Sequence, residues 1–583
     1  MSDINIVVAG QGGDGSLTVV TLLSRVLGQR GYHLYSARNV ASRIKGGHAA
    51  AMLRGSTVRR GCMGDHIDLL FAFDSEAIRI AGPRVADEGM VIFDSSIGPV
   101  QDEHLAPGVR VIEIPFGRLA VRDLRRDLFK NSLGFGVVAR LLSLEDGEAI
   151  DTLRHRFARQ ADRVIDANVD ALKSGFAFAD ELGLTALNGP WVLEQIERPS
   201  QLFITGNQAL SLGFACAGGR FYAGYPITPA TNILDWMTAH LHKFGGIVIQ
   251  AEDELAAINM AIGAALTGAR TMVATSSPGF SLMQEGLSQL GATEIPMVLV
   301  DVQRAGPSTG MPTKPEQSDL NMMVYGGNGD FPRIVLAPGD PGDAFEIATL
   351  ATNLAQRTQG PVIIAMDQAI GQDASTTDPF DTKAVEVDQA KRLTATDVAD
   401  LKEYRRYLVT SDGVSPWAVP GTPGAMNLVT GNEHNEWGQV SADPKNRLAM
   451  VGKRERKISS VHSALPLARR WGPGDASTGL LGVGMETGVI VEARERLEIL
   501  GLPVDVLQPR TLWPVLDETL DFIRSKERVY VVEHSAEAQL ARLLASAGAP
   551  HEKIRSITRY DGVPFTPGNI VDTMSAAMAG ATH

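Results

Sequence analysis

Glu252, Asp253 and Glu254 stand in a row just before a run rich in small residues, Ala256, Ala257, Ala261, Gly263, Ala264, Ala265 and Gly268. Carboxylates in a first helical turn commonly cap orphan backbone N–H groups and face the positive end of the helix dipole. For Glu252 and Asp253 that role suffices, and Asp253 is the expected cap. Glu254 is different, because a small-residue helix invites close approach by a neighbour. A carboxylate at its head is then desolvated, as suits proton exchange. About 25 residues earlier lies Gly224-Tyr-Pro-Ile-Thr-Pro229, whose two prolines hold an extended turn and fix the direction of the Thr228 hydroxyl. Downstream, Ser276-Ser-Pro-Gly-Phe280 opens another helix and offers Ser277 as a wall of the same cleft. Arg304 follows the apolar stretch 297–302, at the carboxyl end of a strand, where open α/β sheets bind ligands. Its planar fork suits a carboxylate.

A second constellation sits at the N-terminus. Gly10-Gln-Gly-Gly-Asp-Gly15 follows a strand, opens a helix and matches G-x-G-x-x-G. Such a loop lets a phosphate approach the backbone and rest on the helix N-terminus. An NAD site would want an acidic residue about 20 positions on, yet no Asp or Glu occurs from Ser16 to Gly64. The same stretch carries Arg25, Arg30, Arg38, Arg43, Lys45, Arg54, Arg59 and Arg60. In a chain of net charge −13 this one-sided segment points to a polyanionic ligand, such as the phosphorylated adenosine of coenzyme A or NADP. The plain alternative is a tight turn serving strand–helix packing, with the cations on a solvated face. Gly13-Asp-Gly15 with Asn39 also imitates a Mg²⁺–diphosphate motif. Val40 stands where its second asparagine belongs, and the basic stretch offers few oxygen ligands for a hard cation, so this motif is rejected.

These groups need sheets to position them, and 583 residues suffice for several cores. Apolar runs at 3–9, 67–73, 90–93 and 110–114 alternate with helical segments at 16–30 and 151–182, the pattern of a parallel α/β sheet. A second such unit has strands near 247–250, 270–275, 297–302 and 362–366, and a third near 479–484, 504–508 and 528–533. The expected architecture is α/β: three parallel-sheet units at 1–185, 201–372 and 471–583. A linker lies at 186–200, and a poorly periodic connector or arm fills 373–470. The charge argues against nucleic-acid and anionic-membrane partners. Cys62 and Cys216 are too few for an iron–sulfur cluster, which takes four cysteines. No signal peptide and no span of roughly 18 apolar residues is read, so a cytoplasmic protein is expected.

Taken together, the motifs resemble the alpha chain of 2-oxoacid:ferredoxin oxidoreductases, the type with a gamma domain fused in front, as in the 2-oxoglutarate enzymes. The resemblance spans essentially the whole chain. Beyond the motifs above it rests on Lys45-Gly-Gly47, Gln303-Arg-Ala-Gly-Pro-Ser-Thr-Gly-Met-Pro-Thr-Lys314, Asp412-Gly-Val-Ser-Pro416, Gly431-Asn-Glu-His-Asn-Glu436 and Gly482-Val-Gly-Met-Glu-Thr-Gly488. The resemblance implies a pyrimidine-binding-type thiamine diphosphate domain in the middle, and a transketolase C-terminal-like domain at the end. It implies that Glu254 contacts the cofactor's pyrimidine ring and promotes the tautomer that activates the thiazolium carbon. Thr228 and Arg304 would hold the substrate's carboxylate and keto oxygen, and Ser277 would line the cofactor. Gly12, Gly13, Gly15 and Lys45 would help bind coenzyme A. No metal site is expected on this chain. A partner beta chain would supply the diphosphate site, Mg²⁺ and a [4Fe–4S] cluster that passes electrons to ferredoxin, in an (alpha–beta)2 heterotetramer. The implied substrate is 2-oxoglutarate, converted to succinyl-CoA and CO₂, with pyruvate or a branched 2-oxoacid as alternatives. Lys314 and His434 could meet a second substrate carboxylate or be structural. Two other readings stay open: an NADP-linked oxidoreductase that uses the glycine loop, and a non-catalytic scaffold.

Overall fold

The computed structural model describes residues 3–40, 47–100, 102–124, 129–184 and 191–579. Lys45 lies outside them. The chain forms two compact units. The first comprises the residues up to Ile204 together with two short returns, 373–379 and 566–568. The second comprises the rest.

The first unit is built on an eight-stranded sheet. Its order is Arg110–Ile114, Val85–Asp94, Ile67–Ala72, Asp3–Gln11, His48–Ser56, His33–Val40, Ala374–Thr377 and Leu202–Thr205. Along the N-terminal strand, Ile4, Ile6 and Val8 enter one core beneath helices Ser16–Gln29, Lys130–Leu141 and Asp162–Glu181. Val7 and Ala9 enter a second core with helix Ser75–Ala81. That alternation is the period of two of a strand buried on both faces. The expected parallel sheet is half right. The four strands from Arg110–Ile114 to Asp3–Gln11 run parallel, but Asp3–Gln11, His48–Ser56, His33–Val40 and Ala374–Thr377 pair antiparallel in succession. The connection between Val40 and His48 is far shorter than a parallel crossover, which takes a dozen residues or more. The single helix expected at 151–182 is two, Asp146–Arg156 and Asp162–Glu181.

The second unit holds two sheets. The larger has the order Thr511–Trp513, Ile334–Leu336, Pro361–Asp367, Met297–Gln303, Thr271–Thr275, Phe221–Gly224 and Ile247–Gln250. It is parallel except for Thr511–Trp513. The smaller has the order Arg469–Trp471, Asp505–Gln508, Thr478–Gly482, Arg528–Glu533 and Ile554–Thr558, parallel except for Arg469–Trp471. One apolar core runs from Ala257, Ile258 and Val273 through Leu299 and Ile363 to Val483, Leu507 and Val531, joining both sheets.

Of the connector expected at 373–470, residues 373–379 return to the first unit, and 380–470 are mostly irregular but carry the short helix Ala395–Ala399 and a long one that the periodicity does not announce, Pro444–Val461. Its buried face consists of Met450, Lys453, Arg454, Lys457 and Val461. Lys453 and Lys457 both pair with the buried carboxylate of Glu294, at 2.8 and 2.6 Å. The Arg406 guanidinium donates to the Glu294 carbonyl at 2.6 Å and to the Gln359 side chain at 3.0 Å. The helix is therefore fixed by charge where a hydrophobic stripe would ordinarily serve.

Candidate active site

The expected residues of the second unit converge at the carboxyl ends of its parallel strands. Asp253 caps helix Glu254–Leu266, its side chain accepting the Ala256 N–H at 2.6 Å. The capping role expected of Asp253 is thus seen directly. Glu254 begins the helix and is only 5 % exposed. Among the described residues no hydrogen-bond donor reaches its carboxylate. The carboxylate packs instead against Gly279 in helix Ser277–Leu282, where an added Cβ would stand 2.5 Å from Glu254 Oε1 and 2.0 Å from Thr275 Oγ1. Glycine at 279 is what makes room for the acid.

Arg304 lies beside it, 5 % exposed. Its Nη1 donates to the carbonyl of Thr228 at 2.6 Å, so the turn at 224–229 anchors the guanidinium through its main chain. Its Nε is buried without an acceptor. The main chain of Arg304 is held by Ser277: the Arg304 N–H donates to Ser277 Oγ at 3.1 Å, and that hydroxyl lies 3.2 Å from the Arg304 carbonyl. The structure therefore brings Thr228, Glu254, Ser277 and Arg304 into one cluster. Burial lowers the pKa of Arg304, while Asp319, Glu254 and Asp301 raise it in that order.

Asp301, Asp319 and Glu316 were not among the expected residues. Asp301 is fully buried within strand Met297–Gln303, and neither of its oxygens meets a donor at hydrogen-bonding geometry. Burial, then Asp319, pushes its carboxyl well above the usual range. Burial also raises Asp319 to about 6 and raises Glu316, which accepts the Gly306 N–H at 3.1 Å. Glu316 and Asp319 border a cavity of about 560 Å³, with Ser277, Pro278 and Ser535 on its other walls. One signal for Asp301 is present in the sequence: an acid inside Met-Val-Leu-Val-Asp-Val302, an otherwise apolar strand, costs too much to bury without purpose.

The motif at 482–488 bolts the smaller sheet to this site. The Met485 N–H donates to Asp367 Oδ2 at 2.8 Å, and Gln317 Nε2 reaches the same oxygen at 3.1 Å and the Val483 carbonyl at 3.0 Å. The Gln317 N–H donates to the His534 carbonyl at 2.7 Å. Buried Glu486 pairs with His534 Nδ1. Burial lowers the His534 pKa, and the Glu486 carboxylate more than reverses this, leaving it raised.

Lys314 and His434 do not join the cluster around Arg304. Burial lowers the Lys314 pKa, and its charge partner is Asp561. His434 is buried in the connector with its ring on Tyr407, centroids 4.0 Å apart, and its Nδ1 is 2.8 Å from the Asn432 carbonyl.

In the first unit, Gly15 enters helix Ser16–Gln29 at φ 88°, and a Cβ there would strike the Asn131 side chain at 1.9 Å. Gly15 serves local packing. Gly13, at φ 110°, has open space around it, and the Gly12 N–H donates to the Gly47 carbonyl at 3.0 Å, the only atom that an added Cβ on Gly12 would approach. Asp14 is tied to the Gln11 N–H and to Lys130, each at 2.8 Å, which removes it as a metal ligand. The basic stretch is also less free than its composition suggests. Arg54 pairs with Asp3, Arg30 with Glu148 and Arg59 with Asp378, and Arg60 approaches Asp3. Arg25 and Arg38 are exposed. Beside the loop is a cavity of about 580 Å³, whose lining includes Gln11, Asp14, Arg118 and Lys130.

Residues 213–453 match the family model described as pyruvate flavodoxin/ferredoxin oxidoreductase, thiamine diphosphate-binding, and residues 5–178 match the one described as pyruvate ferredoxin/flavodoxin oxidoreductase. The chain is 31 % identical to the 2-oxoacid:ferredoxin oxidoreductase subunit alpha of a Sulfolobus species, over 96 % of this chain and 94 % of that one. It is 35 % identical to the 2-oxoglutarate oxidoreductase subunit KorA of Mycobacterium tuberculosis, over 77 % of this chain and 68 % of that one. The solved structure of 2-oxoglutarate:ferredoxin oxidoreductase from Magnetococcus marinus, with 2-oxoglutarate, coenzyme A and succinyl-CoA bound, superposes with a TM-score of 0.93 at 32 % identity, covering 99 % of both chains. With the middle of the chain matching a thiamine diphosphate-binding model and nearly its whole length aligning with alpha subunits, the chain belongs to the 2-oxoacid:ferredoxin oxidoreductase family as an alpha subunit.

Proposed function

We propose that this subunit provides the pyrimidine side of a thiamine diphosphate site completed by a partner beta subunit, and that the assembled enzyme oxidatively decarboxylates 2-oxoglutarate to succinyl-CoA. The observation that carries the reading is Glu254: a carboxylate at a helix head, buried, without a hydrogen-bond donor, in a cradle that only Gly279 permits. These features fit an aminopyrimidine ring, which offers such a carboxylate a ring nitrogen partner. When bound, the cofactor supplies the electron sink for the carbanion left by loss of CO₂. Glu254 holds and returns the proton at the ring nitrogen. Arg304 takes the substrate's carboxylate, with its guanidinium steadied by the Thr228 carbonyl and its main chain by Ser277. The Thr228 hydroxyl orients the keto oxygen. Exposed apolar positions on helix Glu254–Leu266 support assembly with another chain: Leu255 and Met260 are 47 % and 43 % exposed, and a Cβ on Gly263 would meet nothing.

Coenzyme A is assigned to the first unit, at the open positions Gly12 and Gly13. The diphosphate site, Mg²⁺ and the [4Fe–4S] cluster are assigned to the beta subunit, with ferredoxin as the acceptor and an (alpha–beta)2 assembly in the cytoplasm. Among the described residues no helix is long and apolar enough to cross a membrane. The choice of 2-oxoglutarate over other 2-oxoacids rests on likeness to the Magnetococcus marinus enzyme along both whole chains.

The test is co-purification with the partner subunit, then an assay with coenzyme A, a low-potential acceptor and a panel of 2-oxoacids. The complex is expected to turn over 2-oxoglutarate, the isolated chain to be inactive, and Glu254→Gln to cost about two orders of magnitude or more in kcat. Decarboxylation by the isolated chain, or an unaffected Glu254→Gln complex, would refute the reading.

A further inference from the structure

Arg304 opens the loop 304–319, between strand Met297–Gln303 and helix Leu320–Tyr325, and the loop doubles back on itself. The Ala305 N–H donates to the Lys314 carbonyl and the Met311 N–H to the Ala305 carbonyl, each at 2.9 Å, and the Gly306 N–H donates to Glu316 Oε2 at 3.1 Å. The returning limb at 314–316 therefore holds the two residues that follow Arg304. Gln317 comes next and is only 7 % exposed. Its N–H donates to the His534 carbonyl at 2.7 Å, and the His534 N–H donates to its Oε1 at 3.3 Å. Both Nε2 protons are taken, by Asp367 Oδ2 at 3.1 Å and by the Val483 carbonyl at 3.0 Å. Asp367 ends strand Pro361–Asp367 of the larger sheet, while Val483 and His534 directly follow strands Thr478–Gly482 and Arg528–Glu533 of the smaller. A Cβ on Gly484, which sits at φ 59°, would stand 2.0 Å from Asp367 Oδ2 and 2.9 Å from Gln317 Nε2, so glycine there leaves room for this clasp.

We propose that Gln317 is a positioning residue for Arg304: its side chain locks the returning limb to both sheets, and that limb sets where Ala305, Gly306 and the arginine before them stand. This inference rests on the reading that Arg304 receives the substrate's carboxylate. The smaller sheet then takes part in substrate recognition without touching the substrate. Ser277 and the Thr228 carbonyl hold Arg304 directly, and the clasp holds the loop into which it leads. The Gln317 amide uses both donors and its acceptor in that clasp. An apolar side chain of the same size would leave the Val483 carbonyl and the His534 N–H without these partners, a cost that favours any loop arrangement in which they find others. The substrate's carboxylate carries its full charge when bound and loses it as CO₂ forms. A displaced arginine therefore raises KM more than it lowers kcat.

The experiment measures kcat and KM for 2-oxoglutarate with the complete enzyme. Gln317→Met, which keeps the volume and removes the amide, is expected to raise KM about fivefold or more, with kcat within about threefold of native. Arg304→Ala is expected to raise KM on its own, and adding Gln317→Met to it to change KM by less than about twofold, because a residue that acts through the guanidinium has none left to place. Gln317→Glu sets a second carboxylate against Asp367 and is expected to raise KM, while Asp367→Asn in that background returns a donor opposite the acceptor and is expected to bring KM back to within about twofold of native. A native KM in Gln317→Met, additive effects in the double variant, or an assembled Gln317→Glu/Asp367→Asn enzyme that keeps the KM of Gln317→Glu alone would each overturn the proposal. A native KM in Arg304→Ala would refute the role of Arg304 itself and not merely that of Gln317.

Discussion

At the scale of single residues, the site depends on what is absent as much as on what is present. Gly279 leaves the space that Glu254 fills, and an alanine there would push against Glu254 Oε1 and Thr275 Oγ1. Gly279→Ala is expected to displace the acid and reduce kcat by about tenfold to a hundredfold, while overpacking costs about 1–3 kcal/mol of stability. Turnover of the complex and the thermal midpoint of the chain measure the two effects. Glu254, Thr228 and Arg304 were legible in the sequence because a strand-to-helix turn, a Pro-bracketed threonine and an arginine after a strand each have a place in an α/β sheet. The supporting acids were not legible as a group. Asp301, Glu316 and Asp319 lie within 19 residues of one another yet on different elements, a buried strand and a loop, and spacing alone does not show that they meet. The basic stretch misled in the opposite direction. Composition cannot distinguish a cation awaiting a ligand from one already neutralised, and Arg30, Arg54 and Arg59 are already paired.

At the scale of elements, the strands of the second unit are where their apolar runs place them. Helix Pro444–Val461 was invisible, because the residues it buries include two lysines and an arginine. A hydrophobic period cannot find a helix whose inward face is charged. Lys457 in that face is pushed down to about 7, chiefly by burial and against the pull of Glu294. Its unfolded value is roughly 10.4, so between the two the unfolded chain binds the extra proton and stability rises with pH. The urea midpoint of the native chain is expected to gain from this group between about pH 7 and about pH 10. Lys457→Met is expected to remove the gain, and an unchanged slope would contradict the assignment. The antiparallel half of the first sheet was missed for a different reason: Ser, Arg and Asn interrupt 33–40, while Ala-Ala-Ala at 49–51 carries little strand preference.

At the scale of the whole molecule, a chain of net charge −13 still turns a number of large apolar side chains to solvent. Helix Glu254–Leu266 carries two of them, Leu255 and Met260, with Gly263 also turned to solvent, on the same helix that begins with buried Glu254. The reading of a shared site places the partner subunit there. The paired change Met260→Glu and Gly263→Glu is expected to abolish co-elution with the beta subunit on size exclusion, while the thermal midpoint moves little, since exposed substitutions usually stay within about 0.5 kcal/mol. Retained co-elution would put the interface elsewhere.

Strand Thr511–Trp513 belongs to the C-terminal part of the chain by sequence, but completes the larger sheet beside Ile334–Leu336. A fragment ending near residue 372 would therefore present an open row of N–H and C=O groups on one flank, a template for self-association. The nascent polypeptide faces the same hazard until its final third has been synthesised. The middle of this protein cannot be excised as a module, and a chaperone able to mask bare strand edges should raise the soluble yield of a fragment ending near residue 372 more than that of the intact chain.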